Sequence, residues 1–95
     1  MAKKGELRFV DSQEQMIRDN PHHYSVVLFQ PASSIRHTQI FDDMLVAKTY
    51  AENTLQEESR FRTAMLYAAN QYGNYALVST LGRNLKWKVV VPSTY

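Results

Sequence analysis

The sequence predicts an α+β fold: an antiparallel sheet of four or five strands, one main helix packed on one face, and a short N-terminal helix. Three stretches carry that prediction. Phe41–Leu55 (FDDMLVAKTYAENTL) has the period of an amphipathic helix. His22–Gln30 (HHYSVVLFQ) alternates like a strand and is apolar on both sides in its middle. Arg60–Gln71 and Tyr75–Leu81 are two strand-like runs on either side of Tyr72-Gly73-Asn74, which reads as a hairpin.

The length of 95 residues fits one domain, with Met1–Gly5 as a flexible terminus. With 44% hydrophobic and 12% aromatic residues, the chain can bury a small core. A domain of this size buries roughly 60–65% of the surface its unfolded chain exposes. Little interior is left for an enclosed active site, which moves function to the surface or to a subunit interface. No cysteine is present, so disulfides, thiolate metal sites and cysteine nucleophiles are excluded. That usage is compatible with a reducing cytoplasm, the expected location. No apolar run approaches the ~20 residues of a membrane span, and none follows Met1–Glu6 as a signal peptide would require. The net charge of +2 is mild and does not by itself indicate nucleic acid.

Taken in order, Glu6–Val10 reads as a short edge strand or an extended lead-in. Asp11-Ser12-Gln13-Glu14 has the form of a capping box ahead of a two-turn helix over Ser12–Asp19, with Met16 and Ile17 as its apolar contacts. Asn20-Pro21 ends that helix. The central strand His22–Gln30 follows, then a turn from Pro31 to Ser34 and a shorter strand over Ile35–Ile40 that pairs back on it. In the main helix Asp42 and Asp43 supply N-terminal caps, and Phe41 is placed as a hydrophobic staple. Met44, Ala47, Tyr50, Ala51, Thr54 and Leu55 fall on an arc of roughly 140°. Small alanines at its centre let the helix approach a flat sheet, and the helix ends near Glu57–Ser59.

Beyond the helix, Phe61, Thr63, Met65, Tyr67 and Ala69 share one face of the first hairpin arm by alternation. Tyr75, Leu77, Ser79 and Leu81 share one face of the second. Gly82-Arg83-Asn84 is a turn. Leu85–Val91 is the last strand, with Leu85, Trp87, Val89 and Val91 opposite Lys86 and Lys88. Pro92 stops it.

Chemistry-bearing residues are sparse. His22 and His23 are adjacent, so on a strand they point to opposite faces, and with His37 they supply no zinc-ligand spacing. Asp42 and Asp43 are explained by capping. Gly5, Gly73 and Gly82 are isolated and build no phosphate-cradling loop. No nucleophile elbow appears. The expectation is therefore a non-enzyme with no catalytic residue, no cofactor and no metal.

The C-terminal half interleaves basic and aromatic residues: Arg60, Arg62, Arg83, Lys86 and Lys88 with Tyr67, Tyr72, Tyr75 and Trp87. Such a mixture suits phosphate attraction and base stacking. However, Lys86 and Lys88 alternate out of phase with Trp87, so they also fit the solvated side of an edge strand. Arg60–Tyr67 lacks the glycine and aromatic spacing of an RNA-recognition motif.

Phe41-Asp42-Asp43 followed by Ala47 and Ala51, then Leu66-Tyr67-Ala68 and a hairpin, resembles small accessory proteins encoded by bacterial viruses, over about residues 41–81. The resemblance implies a protein that acts by binding a host macromolecule. The expected function is a binding protein for a protein partner, working through its sheet or hairpin, with self-association open to it. Nucleic-acid binding by the basic and aromatic strands is the alternative. Partner contacts are expected from Tyr72, Tyr75, Arg60, Arg62, Arg83, Lys86 and Lys88.

Overall fold

The computed structural model describes residues 13–31 and 36–89. The expected lead-in at Glu6–Val10, the capping box start and the terminal residues after Val89 lie outside the described residues.

A short helix α1 covers residues 13–19. Strands β1 (His23–Phe29) and β2 (Arg36–Phe41) precede the main helix α2 (Met44–Glu57). Strands β3 (Thr63–Ala69), β4 (Tyr75–Gly82) and β5 (Trp87–Val89) complete the fold. The five strands form one antiparallel sheet in the order β2-β1-β3-β4-β5. The α+β class, the five strands and the main helix on one face follow the sequence expectation.

Helix α2 forms because its start and its buried stripe agree. The Asp43 carboxylate accepts from the Val46 N–H at 3.1 Å and caps the helix. Asp42 does not cap it. Phe41 ends β2 rather than opening the helix, and it meets the Tyr50 ring at 5.1 Å. Ala47, Ala51, Thr54 and Leu55 are buried against the sheet, with Met44 and Tyr50 packed at the rim. From the sheet, Val26, Leu28, Ala64, Leu66 and Leu81 meet them.

The last two strands depart from simple alternation. Tyr67 pairs with Leu77 but Leu66 pairs with Ser79, so Val78 is an extra residue on β4. This β-bulge switches the faces. Tyr75 and Leu77 lie on the side away from α2, while Ser79 and Leu81 turn toward it. The single face expected for Tyr75, Leu77, Ser79 and Leu81 is therefore split. The bulge leaves the Ser79 hydroxyl buried without a hydrogen-bond partner among the described residues.

Two further boundaries shift, and one apolar contact changes. Phe61 precedes β3 and is buried in the helix-side core with its ring 5.0 Å from His37, not on the Met65–Tyr67 face. Leu85 sits in the turn before β5 with φ of 60°, so it starts no strand. Met16 is 68% exposed, leaving Ile17 as the more covered apolar residue of α1. Arg18 of the same helix donates to the Leu77 carbonyl at 2.8 Å. Among the described residues β5 covers β4 only from Ser79 to Leu81, so Arg18 satisfies a backbone acceptor beyond its end.

Candidate functional site: the open face of the sheet

Helix α2 covers one face of the sheet. The other face is read from register. Ser25, Val27 and Phe29 of β1 lie beside Ile40, Thr38 and Arg36 of β2, and beside Tyr67, Met65 and Thr63 of β3. Ser25, Val27, Phe29, Arg36, Thr38, Tyr67 and Tyr75 line a concavity of about 360 Å³ on this face.

Its walls are aromatic and held by edge-to-face contacts. Tyr67 meets Tyr75 at 6.3 Å between ring centroids, and Tyr75 meets His23 at 6.3 Å, both near perpendicular. His22 continues the row against His23 at 5.3 Å. Perpendicular rings at these separations are attractive and fix one another's orientation. The Arg36 guanidinium lies 5.0 Å from the centre of the Phe29 ring, a cation–π contact at the far side of the concavity. The Tyr67 hydroxyl points to the Met65 sulfur at 3.7 Å.

The two adjacent histidines do not diverge as alternation suggests. His22 lies just before β1, and its Nδ1 is 3.1 Å from Nδ1 of His23. Among the described residues no group of three or more His, Cys, Asp or Glu side chains converges as metal ligands would.

The expected contact residues fall at opposite ends of the sheet. Tyr72 is 78% exposed at the tip of the β3–β4 hairpin, and Tyr75 is exposed where β4 begins. Arg60 and Arg62 precede β3, and Arg83 and Lys86 lie in the β4–β5 connection. All four are at the other end, a strand length of about 20 Å away. Two of them are engaged locally. Arg60 pairs with Glu58 at 2.8 Å, and Arg83 donates to the Phe61 carbonyl at 2.7 Å. Arg62 and Lys86 are exposed there, and Lys88 is exposed opposite Thr80. The interleaving seen in the sequence thus does not become one mixed basic and aromatic surface.

Phe29, Arg36 and His23 belong to the open face and were not among the expected contacts. The alternation of β1 already places Phe29 with Ser25 and Val27. Only the pairing of β1 with both β2 and β3 brings Arg36 and Tyr67 beside them.

No helix among the described residues is long and apolar enough to cross a membrane. Comparison of the chain with family models, curated proteins and solved structures finds no match.

Proposed function

We propose that this chain is a cytoplasmic, non-enzymatic binding protein that takes a protein partner on the open face of its sheet, in the manner of an accessory protein of a bacterial virus. The observation that carries this reading is the aromatic concavity around Tyr67 and Tyr75 on the face that α2 leaves uncovered. Tyrosine offers a broad apolar ring with a polar tip, the combination enriched at protein interfaces. Tyr72 at the neighbouring hairpin tip extends the same end of the molecule. The separation of Arg60, Arg62, Arg83 and Lys86 from the tyrosines disfavours the nucleic-acid reading through those residues, because their phosphate contacts would lie about 20 Å from the stacking rings.

Affinity capture from bacterial lysate, with and without nuclease, tests the proposal. The expected result is a protein retained after nuclease treatment and lost when Tyr75→Ala replaces the wild type. Retention that depends on nucleic acid, or that survives Tyr75→Ala unchanged, would count against it.

A further inference from the structure

The two edges of the sheet are built differently. β5 is three residues long and carries exposed Lys86 and Lys88 before and within it, which are the usual devices against edge pairing. β2, at the other edge, is six residues long and has neither proline nor lysine. Among the described residues no strand pairs with its outer side. Its open-face residue Ile40 is 62% exposed. Above the same edge, the flank of α2 that faces Phe41 carries Leu45, 72% exposed, and Val46, 54% exposed. These residues, with Phe41, Thr49 and Tyr50, border a shallow groove of about 470 Å³. The opposite flank of α2 is occupied by the contacts of Glu52 and Lys48 with Trp87. Among the described residues, one edge is a short strand bearing lysine, and the other is an unpaired strand beneath an apolar ledge.

We propose that β2 pairs antiparallel with β2 of a second copy of this chain, about a two-fold axis normal to the sheet at Gln39. The occupant is identified by charge complementarity. With Gln39 opposite Gln39, Thr38 faces Ile40, His37 faces Phe41, and Arg36 faces Asp42 of the other copy. The symmetry repeats each pair, so two Arg–Asp pairs flank the ends of the ladder, with Asp42 one residue beyond β2. Arg36 and Asp42 are both exposed. Among the described residues neither takes part in an ion pair, and Arg36 stacks on the Phe29 ring. Opposite residues of an antiparallel pair share a face, so this register makes a ten-stranded sheet whose two open faces are continuous. This pairing does not rest on the function proposed for the open face, and either can fail alone.

Sedimentation equilibrium of the full chain tests it with two charge-reversed variants. Asp43 rather than Asp42 caps α2, so Asp42→Arg leaves the cap in place. The wild type should pass from monomer to dimer with a dissociation constant on the order of 10–100 µM, as suits a small interface. Arg36→Asp alone and Asp42→Arg alone should each weaken association by ~10-fold or more, since like charges then face each other twice. An equimolar mixture of the two should recover it, because every end pair of the mixed dimer is again opposite in sign. A wild type that stays monomeric to ~1 mM, or a mixture no better associated than its components, would overturn the proposal. So would a monomer in which the outward-facing β2 amides, those not bonded to β1, resist hydrogen exchange, which would mean that the edge is covered from within the chain.

Discussion

The indole Nε1 of Trp87 donates to the Oε2 of Glu52 at 2.7 Å, joining β5 to α2 across 35 positions of sequence. Lys48 lies 5.5 Å from the centre of the same ring. The side chain that gives β5 its apolar face also clamps the outermost strand to the helix. Glu52→Ala should cost about 1–2 kcal/mol, because a half-buried N–H loses its acceptor. Glu52→Gln keeps an acceptor in reach and should recover at least half of that loss. Denaturant midpoints at equal slope check this, and a Glu52→Ala variant as stable as the wild type would show that the bond contributes nothing.

Close packing of α2 depends on Ala47 and Ala51, both fully buried against the sheet. Ala51→Leu adds volume where the helix touches the strands and should destabilise by about 1–3 kcal/mol. Thermal melting at the wild-type temperature would contradict this packing.

Among the described residues two turn positions have positive φ, and they should respond with opposite signs. Gly73 has φ of 85° in the β3–β4 hairpin, where the Asn70 side chain accepts from the N–H groups of Tyr72 and Asn74 at 3.0 and 2.9 Å. An added Cβ at Gly73 would meet nothing within 4 Å, so its cost is conformational. Gly73→Ala should cost about 1 kcal/mol. Leu85 holds φ of 60° in an exposed turn, and Leu85→Gly should gain up to about 1 kcal/mol. Chemical denaturation of both variants reads the two signs, and a loss in the second would refute the strain at Leu85.

Much of this fold is legible in the sequence where local signals agree. The α2 stripe, the doubly apolar β1 and the glycine turn each express a period or a backbone requirement within a few residues. What the sequence hides is set by pairing. The bulge at Val78 comes from the β3–β4 register, and it moves Ser79 into the core although alternation groups it with Tyr75. Phe61 lies only two residues before β3 yet turns to the helix side to meet His37, a contact made through tertiary packing. The candidate site shows the same limit. Tyr72 and Tyr75 are readable as exposed aromatics of a hairpin, but their distance from Arg60, Arg62, Arg83 and Lys86 follows from strand direction. A linear reading places them side by side.

Titration of the protein with short single-stranded RNA and DNA at low and moderate salt most directly tests whether the sheet surface serves a protein partner rather than phosphates. Four phosphate contacts from Arg60, Arg62, Lys86 and Lys88 would give a log–log salt slope near about −3, and Lys86→Ala with Lys88→Ala would flatten it by about 1.5. A protein-binding sheet should give weak binding with no such slope and no response to the double lysine variant. Binding on the order of 1 µM with a steep salt slope that collapses in that variant would contradict it.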